Sequence, residues 1–282
     1  MMKIIVVGYY NHGNFGDEQY KLTMKFFLQK TISNIPEIEF IDCDKLMNHI
    51  DDIGSAENTN IILGGGDVLN HYFLDKMNEF VRQIKEKYKK IPRIIAVSVG
   101  IPYNDIFLKK EHIWKLSIFE HIFLRTNQDI TLFEKHLLMY KIPTCVHYLP
   151  DISCIITDYP ISQPTLPIQI ANAIIENSVK PKRRILGIML SRHIYHPSPE
   201  NIFKYNKIVY KFACLIDHFV SCNFYVILVP FNTKNVTDPI KDRENDVLIQ
   251  RDVYNLLKSS SKTSVLNIED TLNVAQMVEL YK

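Results

Sequence analysis

The sequence has no long apolar run, no strong charge of either sign and no paired cysteines, and each of these absences excludes a class of protein. Nothing in its 282 residues approaches the roughly 18 consecutive apolar residues of a membrane span. The N-terminal stretch MMKIIVVGYYNHGN is apolar only briefly before a glycine turn. It reads as a buried strand, too short for a secretory h-region. Lysine and arginine total 33 against 31 acidic residues, a net charge of +2. That balance excludes the concentrated basic surface that nucleic acid or an anionic membrane would require. The cysteines Cys43, Cys145, Cys154, Cys214 and Cys222 are odd in number and scattered, with no CxxC pair and no metal-ligand spacing. They are expected to be buried, reduced thiols in a cytoplasmic protein with no metal centre. Internal repeats and low-complexity tracts are also missing.

Hydrophobic residues make up 46% of the chain and charged residues 23%, enough for a real core, and the length suits two domains of roughly 100–200 residues. Short apolar runs alternate with longer amphipathic ones, the pattern of βαβ units and a parallel sheet. Strands are expected at residues 3–7, 39–41, 60–63, 93–99, 121–124 and 145–149. Helices are expected from near Asp17, over 69–90 and over 128–140. Prolines at 160, 164 and 167 break the rhythm and mark a crossing or linker. Strands at 184–190, 224–229 and 264–266 and helices at 203–220, 243–258 and 273–282 follow. The layout expected is an N-terminal Rossmann-like domain over 1–158, a linker over 159–183 and a second Rossmann-like domain over 184–282. The fold class is therefore α/β with two parallel-sheet halves, the second incomplete at its C-terminal end.

Two glycine segments fall where such sheets bind ligands, at the carboxyl ends of strands. Gly13-Asn14-Phe15-Gly16-Asp17-Glu18 leads from the first strand into a helix, so its amides and the helix dipole suit an anion or sugar hydroxyls. It is neither GxGxxG nor a P-loop. A tight turn with Asp17 as N-cap and Glu18 in the first helical turn fits the same residues. Gly64-Gly65-Gly66-Asp67 ends the third strand; three glycines permit close approach of a ligand, or of crowded neighbouring loops.

Gly8-Tyr9-Tyr10-x-x-Gly13-Asn14-x-Gly16-Asp17-Glu18 followed by Gly64-Gly65-Gly66-Asp67-Val68-Leu69 resembles the N-terminal half of the polysaccharide pyruvyl transferase family. The resemblance continues through Val97-Ser98-Val99-Gly100-Ile101-Pro102, through Leu124-Arg125-Thr126-Asn127, where the family tends to carry an Arg-Asp pair, and through Pro150-Asp151. It covers residues 3–155 well and the remainder thinly. It implies a GT-B-like architecture with the acceptor glycan on the N-terminal side. The implied reaction transfers a pyruvyl group from phosphoenolpyruvate, a co-substrate, to a sugar as a cyclic ketal, with no other cofactor.

That chemistry needs cationic clamps for the donor's phosphate and carboxylate, a proton donor for the methylene carbon and a base for the attacking hydroxyl. Arg192 matches a position where the family often places a donor-binding arginine; a plain surface arginine fits as well. His193, His196 and Asp17 are candidate acid–base groups, though loop histidines are more often simply solvated, and Asp246 falls where the family often carries an acidic residue, a position that a solvated helix N-terminus explains as well. The family's C-terminal Arg-x-His is matched by no residue of this chain; His71 and His121 do not sit in that motif. The resemblance therefore leaves open a truncated enzyme or a catalytically impaired glycan-binding homologue. A nucleotide-sugar glycosyltransferase on the same architecture is the third reading.

Overall fold

The computed structural model describes residues 2–32, 37–53, 58–102, 110–158, 166–179, 183–192, 197–233, 245–269 and 272–281. The chain forms two compact units. The first comprises residues 1–12 and 16–159; the second comprises residues 13–15 and 160–282. His193 and His196 lie outside the described residues, as do residues 159–165 of the proline-rich stretch.

The first unit is a six-stranded, all-parallel, Rossmann-like sheet flanked by helices. Its strands are β1 (Lys3–Gly8), β2 (Glu37–Asp42), β3 (Thr59–Gly66), β4 (Arg93–Val99), β5 (His121–Leu124) and β6 (Cys145–Tyr148). They lie in the order β2-β1-β3-β4-β5-β6. Its longer helices are α1 (Phe15–Thr31, whose first residue falls in the second unit), α2 (His71–Tyr88) and α3 (Ile130–Met139). Strands buried on both faces explain the continuous apolar runs. Ile5, Val7, Ile61 and Leu63 face α2, where Phe73, Leu74, Met77, Phe80, Val81 and Ile84 recur at helical spacing. Ile4, Val6 and Ile62 face α1 through Tyr20, Met24 and Leu28. Asn70 caps α2 by accepting from the Phe73 amide at 3.2 Å.

β4 breaks its own alternation. Its pairing with β5 shifts register between Ala96 and Val99, and Ser98 adopts φ 55°, a left-handed backbone that a serine enters at a cost. The bulge turns Val99 back to the α2 side and frees the buried Ser98 hydroxyl oxygen to accept the Ile152 amide at 3.0 Å.

The second unit carries a three-stranded parallel sheet, β7 (Arg184–Ile188), β8 (Phe224–Leu228) and β9 (Val265–Asn267), in that order. Helices α4 (Ile168–Val179), α5 (Ile202–Ser221), α6 (Asp246–Leu256) and α7 (Val274–Tyr281) accompany it. Val209, Ala213 and Ile216 of α5 and Ile249 and Val253 of α6 pack with Val226, Leu228 and Val265. Ile170 of α4 and Met277 of α7 pack with Tyr225 and Ile227 on the other face.

Helix α4 lies inside the stretch read from the sequence as linker over 159–183. After Pro167, IQIANAIIENSV carries apolar residues three and four apart, and the Pro167 carbonyl accepts from the Ile170 and Ala171 amides. The thiols also differ from expectation. All five are free, but only Cys43 is buried; Cys145, Cys154, Cys214 and Cys222 are exposed. Burial pushes the Cys43 thiol up to about 12. Among the described residues, no helix is long and apolar enough to cross a membrane.

Candidate functional site

The carboxyl edge of the six-stranded sheet gathers the glycine segments of the first unit. β1 and β3 are hydrogen-bonded neighbours, with Val7 opposite Leu63, so both loops leave from the same edge. Two buried tyrosines explain most of the glycines. A side chain at Gly8 would meet the Tyr10 ring at 2.5 Å, and the Tyr10 hydroxyl donates to the Gly64 carbonyl at 2.8 Å. A side chain at Gly65 would sit 2.5–2.7 Å from the Tyr20 ring, whose hydroxyl donates to the Val97 carbonyl at 2.8 Å. Burial raises both phenols well above their ordinary range, so both stay protonated donors. Crowding thus accounts for Gly8, Gly64 and Gly65.

Gly66 is different. Its φ is +73°, and the nearest atom to a side chain there would be Asp17 Oδ1 at 3.5 Å. The Asp17 carboxylate therefore lies beside the end of the third strand. Glu18 acts within the fold. Its carboxylate accepts the Asn11 amide at 2.7 Å and pairs with Lys21 at 3.0 Å, folding the β1 loop onto α1.

Asp67 continues the edge. Arg125, at the end of β5, pairs with Asp67 at 2.5 Å and with Asp151, after β6, at 3.1 Å. Gly100 leaves room for this bridge, since a side chain there would strike both Asp67 and Arg125. The Asp67 side chain is half exposed.

On the other side of β1, His12 Nε2 lies 2.7 Å from Asp42 Oδ2, both side chains under 8% exposed, with the Tyr9 ring stacked on the imidazole at 3.7 Å. The sequence reading missed this pair because 30 residues separate its members and only the β1–β2 register, Gly8 opposite Asp42, brings them together. Asp44 lies close by. Burial pushes its carboxyl up, but hydrogen bonds from Lys76 and Tyr72 outweigh burial and hold it below the usual range.

Two groups of described residues bring three ligand atoms within 4.8 Å: His12, Asp42 and Asp44, and Glu39, His49 and Asp52. A lysine ammonium already occupies one carboxylate of each, Lys76 on Asp44 at 2.6 Å and Lys3 on Glu39 at 2.8 Å. Both are ion-pair networks by that measure.

In the second unit, Asp246 is 3% exposed and tethers two loops at once. One carboxylate oxygen accepts the Arg192 amide at 2.8 Å and the other the Asn232 amide at 2.9 Å, while the Asp246 amide donates to the Asn232 carbonyl at 2.8 Å. Residues following β7 and β8 are thereby tied to the start of α6, where a carboxylate is favoured by the helix dipole. Arg192 is buried rather than a surface side chain. Gly13–Phe15 belongs to this unit: Asn14 bridges antiparallel to Asn232, and the Phe15 amide donates to the Phe231 carbonyl at 3.1 Å. The segment read as one binding loop is therefore shared out, with Gly16–Glu18 in the first unit and Gly13–Phe15 in the second.

A comparison with models of known protein families finds no match for this chain, and a comparison with curated proteins finds none either.

Proposed function

We propose that the protein is a pyruvyl transferase of GT-B-like architecture, moving the pyruvyl group of phosphoenolpyruvate onto two hydroxyls of a glycan or glycan precursor. One acceptor hydroxyl oxygen bonds to the enol carbon, the methylene carbon takes a proton, and phosphate leaves as the second hydroxyl closes the ketal. The observation that carries this reading is Asp17 Oδ1 beside Gly66, with the Asp67–Arg125 pair at the same carboxyl edge. Carboxylates held at a sheet's carboxyl edge are suited to accept from sugar hydroxyls.

Asp17 and Asp67 are the proposed acceptor ligands in the first unit, with Gly16, Glu18, Gly64, Gly65 and Gly66 shaping the loops around them. Gly13, Asn14 and Arg192 of the second unit are proposed for the donor, Arg192 as its anion clamp. The proton-transfer groups are not assigned.

The test is phosphate release from phosphoenolpyruvate with a panel of glycans. Release that depends on a glycan supports the reading. Glycan binding without release from any acceptor would make the protein a binding homologue. A melting temperature raised by a nucleotide sugar and not by phosphoenolpyruvate would make it a glycosyltransferase, because a ligand of the native state raises stability by mass action.

A further inference from the structure

Strand β7 is an outer strand of the second unit's sheet, and its outer edge is apolar. β8 pairs with it on one side, and among the described residues no strand pairs on the other. In the first unit, by contrast, β1 is paired on both sides, by β2 and β3. Ile185 and Gly187 stand opposite Tyr225 and Ile227 of β8, which are buried on the α4 side of the sheet. On that same side Ile185 is 38% and Met189 50% exposed. A side chain at Gly187, between them, would meet no atom within 4 Å. Edge strands are commonly guarded by lysine, proline or a bulge. β7 carries none of these: its one charge, Arg184, is its first residue, and its register with β8 is unbroken.

We propose that β7 pairs antiparallel with β7 of a second copy of this chain, about a two-fold axis through Gly187, so that the two small sheets become one. A two-fold interface must be self-complementary, and Ile185-Leu186-Gly187-Ile188-Met189 is so in this register. Ile185 falls opposite the partner's Met189, Leu186 opposite the partner's Ile188, and Gly187 opposite the partner's Gly187. Every one of these cross-strand pairs sets apolar against apolar or backbone against backbone. Arg184 falls opposite the partner's Leu190, so the two guanidiniums stay at opposite ends and no like charges meet. The open space at Gly187 is where a second backbone can approach closely, a recurrent use of glycine inside a strand. Pairing also gives partners to the outward amides and carbonyls of β7. An antiparallel strand beside an otherwise parallel sheet is common. A stable interface buries about 1,200–2,000 Å², more than one strand edge offers. Helix α4, packed on the same side of the sheet, brings further apolar surface: Ile168 and Ile175, two turns apart on one stripe, are 74% and 60% exposed. This surface is independent of the proposed catalytic reading.

The test is sedimentation equilibrium of the intact, reduced chain, which should show a reversible dimer. Ile185→Lys combined with Met189→Lys opposes lysines at both outer pairs and should raise the dissociation constant by ~100-fold or more. Ile185→Lys combined with Met189→Glu alters the same positions but opposes unlike charges. It should dimerise about tenfold or more tightly than the double-lysine variant. Leu138→Lys, at an exposed leucine of α3, is the control and should leave the dimer unchanged. Gly187→Cys reads the register. Residues directly opposite across antiparallel strands have Cα atoms about 4.5–5.5 Å apart, inside the span of about 4.4–6.8 Å that a disulfide bridges. Mild oxidation should therefore link the introduced thiols of two copies, and peptide mapping separates this link from any made by the exposed native cysteines. The substituted positions are exposed or open, so the variants fold, and circular dichroism verifies it. A chain that stays monomeric at every concentration, a dimer indifferent to the double-lysine variant, or no link in Gly187→Cys overturns the pairing.

Discussion

Arg125 Nη2 lies 2.5 Å from Asp67 Oδ1, and the guanidinium's other end reaches Asp151 at 3.1 Å, so one arginine braces carboxylates that follow two different strands. All three side chains are more than a quarter exposed, and exposed pairs of this kind stabilise by about 0–1 kcal/mol each. Arg125→Gln should therefore lower the melting temperature only slightly while releasing Asp67 from its fixed position. If Asp67 receives a sugar hydroxyl, glycan affinity should fall by about tenfold or more, the equivalent of one hydrogen bond to a charged group. Melting curves and glycan titration on the same variant separate the two effects. Unchanged affinity would remove the Asp67–Arg125 pair from the acceptor site.

The glycines at the end of β3 should respond unequally to alanine. At Gly65 a methyl group meets the Tyr20 ring at 2.5–2.7 Å in a backbone with φ +82°. Left-handed backbone costs about 1–2 kcal/mol, and overpacking against a buried ring adds about 1–3 kcal/mol. At Gly66 the backbone cost remains, but the nearest atom is 3.5 Å away. Chemical denaturation should show Gly65→Ala as clearly the more destabilised. Equal losses would mean that Tyr20 moves aside freely.

Arg192→Ala separates the backbone contact of that residue from the donor role proposed for its guanidinium. Its backbone amide, which survives the substitution, holds the contact to Asp246, so the loop after β7 should keep its tether. Donor affinity, read from the KM for phosphoenolpyruvate, should weaken while glycan affinity holds. An unchanged KM would take the guanidinium out of the donor site.

The strands were legible because parallel strands covered on both faces must be continuously apolar, as in KIIVV, NIIL and FYVILV. Helix α2 was legible from Phe73, Met77, Phe80, Val81 and Ile84 at helical spacing. Helix α4 was not, since Pro160, Pro164 and Pro167 dominate the reading of a stretch whose last proline in fact opens a helix. The candidate site was half legible. Glycine runs announce a crowded strand end, but they do not say whether the neighbour is a ligand or a tyrosine. Tyr10 and Tyr20 answer that question for three of the glycines. Pairs such as His12–Asp42 and Arg125–Asp67 depend on strand register, which no local pattern records.

Cys43 should behave as a different chemical species from the other thiols. Its folded-state pKa of about 12 lies above the ordinary value of 9.0, and burial is the main cause. A buried acid of this kind contributes stability below pH 9 and loses it as pH rises toward 12. Alkylation of the native protein at mildly alkaline pH should modify Cys145, Cys154, Cys214 and Cys222 and spare Cys43, with a fifth adduct forming only in denaturant. Mass spectrometry counts the adducts directly, and five on the native chain would contradict the burial of Cys43.

Gln250 carries the sharpest stability prediction. It lies one helical turn after Asp246, is 0% exposed, and neither its amide nitrogen nor its amide oxygen hydrogen-bonds to a described residue. Burying an amide without partners costs about 1–3 kcal/mol by the measure of protein variants. Gln250→Met keeps the length and flexibility of the side chain and removes both polar atoms, so it should raise stability by about 1 kcal/mol or more. Asp246→Asn, one turn earlier, should do the reverse. An amide can accept from only one of the two loop amides through its oxygen and turns a donor toward the other, which costs about 1.5–3 kcal/mol. Opposite signs from two neighbouring buried polar residues would show that Asp246, and not Gln250, ties the two loops to the start of α6. A loss of stability in Gln250→Met would instead mean that the Gln250 amide is satisfied in solution, and that this buried position takes part in the network around Arg192 and Asn232.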